Sequence, residues 1–536
     1  MNNSYSLIEE GRKDELWKKH CGFFNLSRKE FRDIQVRLML EQINLLGSSQ
    51  IGRRLMGGKT PASVEEFRLN TPLTNYNDYS EILKEKNEEG LPDRPYVWAR
   101  TSGLSSGAGP KWIPYTKTQY TRLSDPAIAA MIMSSSSRPG DVKIARNDKF
   151  LIATAPPPYM SGYLARSVKE NLEVVFLPSL DEGEKMPYYE RVATGFKLAM
   201  HEGLDYFFGI SVVLARMGEQ FEQQTSDSTP SRELFDLPTL WRLLKAVVIS
   251  KIEKRNVLPK DIWHIKGVMT SGTDTEIYKD RIEHYWGRKP LETYTCTEAG
   301  IMAMQAWNLK GMVFLPATAF MEFIPLEECK KNIDDPAYKP KTVLYDELDL
   351  GLYELVFSNF NGGVLVRYRI GDMFEVITNE DKEIGSELPQ IRFYSRSDSI
   401  IDLGNFLRLT ERSIWKTIEA SGVKYVDWVA QKQINKEYPT LHLYIEQLKT
   451  SSLSEEKVQE MIRQSFSSNF SDYTDMKEML NVEPVSITLL SEGAFAAYMK
   501  SQTEAGAELA HLKPPHMKPS DSILKRLLTV PNRSNP

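Results

Sequence analysis

The chain has 536 residues, 41% of them hydrophobic, with 67 Lys and Arg against 72 Asp and Glu and a net charge of −5. That length allows two or more domains with ample core, and the near-balanced charge speaks against a nucleic-acid surface. Cysteine is sparse: Cys21, Cys296 and Cys329 form neither a disulfide framework nor a zinc pattern, which fits a reducing compartment.

Residues from about 8 to 90 predict mainly helix, with Phe31, Ile34, Leu38, Ile43 and Leu46 at near-helical intervals. From 95 to about 395, short strand-like runs alternate with helical stretches such as 187–217 and 238–255. That is the α/β pattern of a large sheet-based domain. Polar stretches from Ser134 to Gly140, Glu222 to Glu233 and Thr378 to Leu388 read as surface loops. After Asp398 a smaller α/β unit follows. It has a helix from Thr410 to Ala420, strands at Tyr425–Ala430, Leu441–Ile445 and Val485–Leu489, and a possible capping box of Ser452 and Glu455. The expected division is 1–397 and 398–536. No apolar run approaches the roughly 18 residues that a membrane helix needs. The start, Met1 to Ser6, lacks a charged region followed by an apolar core. A cytoplasmic protein with no membrane or nucleic-acid partner is expected.

Four segments carry candidate chemistry. Thr101-Ser102-Gly103-Leu104-Ser105-Ser106-Gly107-Ala108-Gly109-Pro110-Lys111 joins two strand-like runs. Its glycines let backbone N–H groups approach phosphate oxygens, its hydroxyls add donors, and Lys111 adds a positive charge. The spacing matches neither a Walker loop nor a dinucleotide fingerprint, and a flexible surface loop is the plainer reading. Tyr294-Thr295-Cys296-Thr297-Glu298 offers a flat ring for a purine, a hydroxyl for a phosphate, and a carboxylate for Mg²⁺. The same residues would also serve as a helix cap and first turn. In Tyr368-Arg369-Ile370-Gly371-Asp372 an apolar strand leads to a glycine turn, and the aspartate beyond can accept two hydrogen bonds from vicinal ribose hydroxyls. Alone, a strand ending in Gly-Asp is more often just a turn. Ser395-Arg396-Ser397-Asp398 reads as a hinge.

In this order the four segments resemble the adenylate-forming superfamily, which includes the acyl-CoA synthetases. Within it the chain is most similar to the auxin-responsive (Gretchen Hagen) acyl acid amido synthetases and their bacterial relatives. Further residues carry that likeness: Phe67-Arg68, Pro72 to Tyr76 with Tyr79, Thr154 to Tyr159, Met321 to Pro325, Gly351 to Val356, Gly493-Ala494-Phe495, and His511-Leu512-Lys513-Pro514-Pro515. Leu104 departs from it, standing where the family usually has threonine.

The resemblance implies a large multi-sheet N-terminal adenylation domain and a smaller mobile C-terminal α/β domain. It implies ATP and Mg²⁺ as cofactors, with a carboxylic acid and an amino acid as substrates. Thr101, Ser102, Gly103, Ser105, Ser106, Gly107, Tyr294, Thr297, Asp372 and Arg396 would bind the nucleotide. Glu298 would hold the metal, and Lys111, Glu298 and Lys513 would be catalytic. An apolar or aromatic acid is expected, with Tyr159, Met160 and Tyr163 either lining its slot or forming ordinary core. Coenzyme A as acceptor is one alternative. A non-catalytic nucleotide-binding relative is the other, favoured by Leu104 alone.

Overall fold

The computed structural model describes residues 4–101, 111–209, 211–227, 237–271, 275–397, 400–403, 407–435, 438–451, 453–470, 473–474, 476–477, 482–504 and 515–529. They form two compact units. The first contains residues up to Thr101, then Lys111–Ile370 and Phe374–Phe393. The second contains Gly371–Met373 and the residues from Tyr394 onward.

In the first unit, β1 (Pro95–Arg100) and β2 (Trp112–Thr116) make a two-stranded pair. The strands that follow are β3 (Lys149–Ala153), β4 (Val175–Phe176), β5 (Tyr206–Gly209), β6 (Gly267–Ser271), β7 (Leu291–Cys296), β8 (Gly300–Gln305) and β9 (Met312–Phe314). Then come β10 (Ala319–Pro325), β11 (Val343–Leu344), β12 (Gly351–Asn359), β13 (Tyr368–Thr378) and β14 (Gln390–Arg396). From β3 to β14 they form one 12-stranded sheet in the order β11-β10-β12-β13-β14-β9-β8-β7-β6-β5-β3-β4. The run β4-β3-β5-β6-β7 is parallel, and the direction reverses at the β7–β8 hairpin. Parallel strands are covered on both faces, so they read as continuous apolar runs. All of Tyr206–Gly209 is buried. This strand interrupts the stretch 187–217 expected to be helical, which divides into the helices Tyr188–Glu202 and Ser211–Asp227.

The helix Arg28–Ser48 starts at a capping box of Ser27 and Glu30 and buries Phe31, Leu38, Ile43 and Leu46. The helix Ser124–Ser135 is apolar around most of its circumference and is buried accordingly. It absorbs part of the expected loop at 134–140. Ser134 and Ser135 are buried in its last turn, and both hydroxyls donate back to the Met131 carbonyl, at 2.9 and 3.0 Å.

In the second unit β15 (Ile401–Leu403) pairs with β16 (Leu407–Leu409), and β17 (Tyr425–Asn435), β18 (Tyr438–Gln447) and β19 (Val485–Leu490) form a three-stranded sheet. The first described helix, Glu411–Ala420, is capped by Thr410. The next, Glu455–Asn469, is capped by Ser454, whose hydroxyl accepts from the Lys457 N–H; Ser452, the expected capping residue, lies outside the described residues. Glu446 on β18 is buried and accepts from the N–H groups of Gly493 and Phe495 at 2.7 and 2.8 Å. A carboxylate there satisfies orphan donors and complements the dipole of the helix Ala494–Glu504. Downstream, His516 and Lys518 attach the chain to β17. The Ala430 N–H donates to the His516 carbonyl at 2.6 Å, and the Lys518 N–H donates to the Ala430 carbonyl at 2.8 Å.

Candidate functional site

β1 and β2 pair antiparallel as far as Arg100 and Trp112. Just beyond, the Thr101 N–H donates to the Lys111 carbonyl at 2.9 Å, and the Lys111 N–H donates to Thr101 Oγ1 at 2.9 Å. These two bonds fix both ends of the glycine- and serine-rich segment. Its members Ser102, Gly103, Ser105, Ser106 and Gly107 lie outside the described residues.

The Lys111 ammonium is 3.4 Å from Tyr368 Oη and 5.1 Å from the centre of the Tyr76 ring. Tyr76 Oη in turn accepts from the Trp112 N–H at 3.1 Å. The Pro72–Tyr79 segment clasps the start of β13. The Thr74 N–H donates to the Arg367 carbonyl at 3.0 Å, the Arg369 N–H donates to the Thr74 carbonyl at 2.8 Å, and Thr74 Oγ1 donates to the Val366 carbonyl at 2.6 Å. That early segment therefore serves as the fastener between the lysine strand and β13.

Thr297 and Glu298 occupy the turn between β7 and β8, where the sheet changes from parallel to antiparallel. They cap no helix. The turn is held from both sides: Tyr115 Oη donates to the Thr297 carbonyl at 2.9 Å, and Asn359 Nδ2 donates to the Glu298 carbonyl at 3.0 Å. Glu298 is buried. Burial first, with the charges of Cys296 and Glu298 added, pushes the Tyr115 phenol well above its ordinary range. Burial and Glu298 likewise raise the Tyr76 phenol, against the bond from Trp112. Tyr294 is packed into an aromatic cluster. It stands edge-on to Phe374 at 4.7 Å and nearly parallel to Phe393 at 6.3 Å. Its ring is buried in that cluster.

β13 does not stop at Gly371 but runs on to Thr378, so the expected turn is a kink inside a strand. Gly371 has φ +82°, and a Cβ there would lie 3.3 Å from Ser397 Oγ and 3.4 Å from Arg396 Nη2. Asp372 is buried, with Arg396 Nη1 at 3.3 Å from its Oδ1. Upstream lies a charge cluster that sequence reasoning missed. Glu322 on β10 is fully buried and accepts from Arg367 Nε and Nη2 at 2.9 Å each, from Arg68 Nε at 3.2 Å, and from Thr342 Oγ1 at 2.6 Å. Arg367 sits at φ +44°, a costly conformation for arginine, immediately before Tyr368. The available signal was Phe67-Arg68 and Met321-Glu322-Phe323, which had a resemblance but no role.

Lys513 lies outside the described residues. Among the described residues no group of three or more His, Cys, Asp or Glu is placed to hold a metal ion. The donor set at Glu298 is a single buried carboxylate. That suits Mg²⁺, which binds through one or two carboxylates plus substrate phosphates. Tyr159 and Met160, expected at an acyl slot, are buried. A small cavity of about 20 Å³ lies nearby, lined by Ala130, Met131, Ile152, Leu164, Phe208 and Ile301 among others. Its lining is apolar.

Three family models match the chain in order. They are the GH3 family N-terminal domain over residues 21–171, the GH3 family central domain over 312–396, and the GH3 family C-terminal domain over 410–521. Together they cover more than half of it. No curated protein matches by sequence. Among solved structures, the AtGH3.15 acyl acid amido synthetase in complex with 2,4-DB is similar with a TM-score of 0.64 at 17% identity, over 92% of this chain and 93% of that one. A second structure, described as GH3.15 acyl acid amido synthetase, gives 0.64 at 14% identity, over 93% and 94%. The 2-hydroxyisobutyryl-CoA ligase in the postadenylation state with R3-HIB-AMP gives 0.58 at 14% identity, over 87% of each chain. At these identities the likeness is one of fold.

Proposed function

The chain belongs to the GH3 family, and on that basis we propose that it is an ATP-dependent ligase joining a carboxylic acid to an amine, most simply that of an amino acid, by way of an acyl-adenylate. The observation that carries the reading is the succession of all three GH3 domain models along one chain.

In the first step a carboxylate oxygen attacks the α-phosphorus of ATP. The Pα–O bond to the β-phosphate breaks, and its electron pair leaves with pyrophosphate. Negative charge shifts onto groups already charged, so cations and N–H donors are what the site must supply. Lys111 and the amides of the tethered 102–110 segment are the donors in this reading. Glu298 is the carboxylate for Mg²⁺, which neutralises phosphate charge when bound. Thr297 donates to a phosphate, and Asp372, beside Arg396, holds the ribose hydroxyls. In the second step the neutral amine attacks the acyl carbonyl. The C–O bond to AMP breaks, AMP leaves with the pair, and the amine's proton goes to solvent.

Residues 1–397 form the adenylation domain in this assignment, and 398–536 a lid that brings Lys513 to the transition state. We place the reaction in the cytoplasm; no helix among the described residues is long and apolar enough to cross a membrane. The test is carboxylate-dependent ATP–pyrophosphate exchange across a panel of acids with Mg²⁺ present. Exchange with at least one acid, lost in Lys111→Ala and Glu298→Ala, is expected. Full exchange in both variants removes the site assignment.

A further inference from the structure

The helix Leu237–Glu253 is built inside out. Toward the protein it turns mostly small or polar groups, with Leu243 and Ile249 half-buried among them. Thr239, Ala246 and Ser250 are buried, and Arg242 Nη1 donates to the carbonyls of Met200 and His201 at 2.9 and 2.8 Å. Toward solvent it turns Leu240, Trp241, Leu244, Val247, Val248 and Ile252, with Trp241 71%, Val248 57% and Ile252 75% exposed. Trp241, Leu244, Val248 and Ile252 fall at i, i+3, i+7 and i+11, a single stripe along the helix. A stripe of this kind ordinarily faces a core. A contiguous exposed one marks an interaction surface.

The charge around it narrows the partner. Lys245 and Lys251 are exposed and fall on either side of the stripe at helical spacing, and Lys254 follows. The helix carries one carboxylate, Glu253, and it is paired with Arg255 at 2.6 Å. Among the described residues His264 also faces them, with its Nε2 3.1 Å from Lys245 Nζ. We propose that this face docks the protein peripherally on an anionic lipid surface. Apolar side chains with a tryptophan would enter the interfacial layer, and the flanking lysines would snorkel to the headgroups.

A second copy of the chain fits less well. A helix of this length is roughly 25 Å long with a face roughly 10 Å wide, so the stripe offers on the order of 250 Å², against about 800 Å² per partner in a stable protein interface. Self-pairing through the same face would also bring the two sets of lysines together. A bilayer needs no complementary surface and favours the positive rim. A scan for apolar runs misses such a helix because its lysines break the run. The inference stands independently of the proposed reaction.

The test sediments the full chain with vesicles of phosphatidylcholine alone or of equal phosphatidylcholine and phosphatidylglycerol. Binding to the mixed vesicles should be about ten-fold or more tighter than to the neutral ones. The Trp241→Glu/Val248→Glu double variant should lose that binding with an unchanged melting temperature, since both side chains are exposed. The Lys245→Glu/Lys251→Glu variant should lose the preference for the anionic lipid. The proposal is overturned if the wild-type chain sediments with neither vesicle, or if the double variant binds as well as wild type. It is equally overturned if the chain is a dimer that the double variant splits while vesicles are ignored.

Discussion

Arg396 Nη1 stands 3.3 Å from Asp372 Oδ1, with the carboxylate nearly buried and the guanidinium about one-third exposed. The two residues sit in different motifs, and the Gly371 kink, at φ +82°, turns the strand just before the carboxylate. If Asp372 holds the ribose, Asp372→Ala removes charge-assisted hydrogen bonds worth roughly 1.5–3 kcal/mol in all. KM for ATP should then rise by about ten- to a hundred-fold, with the fold retained. If Asp372 serves only to neutralise Arg396, the variant melts earlier and its KM stays put. Comparing KM with the urea midpoint separates the two.

The Arg68–Glu322–Arg367 cluster makes a second prediction. Its members interact over 254 and 45 residues of sequence. Glu322 is fully buried, so removing it leaves two guanidiniums facing each other without a counter-charge. Glu322→Ala should cost about 3–5 kcal/mol of unfolding free energy, as breaking a buried ion pair does. Urea unfolding measures it. A loss below about 1 kcal/mol would mean that solvent reaches the cluster.

The pH dependence of the second unit should be governed in part by His516. Its Nδ1 lies 2.7 Å from Glu411 Oε1 and its Nε2 lies 2.7 Å from Asp427 Oδ1, with the ring stacked on Trp428 at 4.5 Å. Burial pulls the imidazole pKa down, but Asp427 and then Glu411 outweigh it and raise the pKa from 6.5 to about 9. A raised folded-state pKa stabilises the protonated form. The contribution is therefore complete below about pH 6.5 and lost as pH rises through about 9. It amounts to at most about 3 kcal/mol. His516→Gln should flatten the fall in stability between those limits, as read by urea midpoints from pH 6 to 10. An unchanged slope would assign the fall to other groups.

Much of the fold was legible because the patterns were local. Phe31, Leu38, Ile43 and Leu46 repeat on one face of a helix, and they are buried on one face of a helix. Tyr425–Ala430 and Leu441–Ile445 carry strand patterns, and they are the first half of β17 and the middle of β18. What failed lacked a periodic signal or had local rivals. Tyr206–Gly209 is a four-residue strand buried throughout, with no alternation to separate it from the helices around it. Ser454 caps its helix, and a serine-rich approach to a helix offers several hydroxyls with similar local signals. The burial of Tyr294 was not legible locally, because Phe374 and Phe393, which pack on it, lie some 80 to 100 residues downstream. Glu322 and Arg367 are each unremarkable in sequence, and only the sheet brings them together.

The most direct test of the central claim is a product analysis. Purified protein is given ATP, Mg²⁺, an acid that supports pyrophosphate exchange, and either mixed amino acids or coenzyme A, and the products are read by mass. The account predicts an acyl–amino acid amide together with AMP and pyrophosphate, and no product without ATP. A thioester in place of any amide would contradict the acceptor and leave the adenylation step standing. ADP and phosphate in place of AMP and pyrophosphate would contradict adenylation itself.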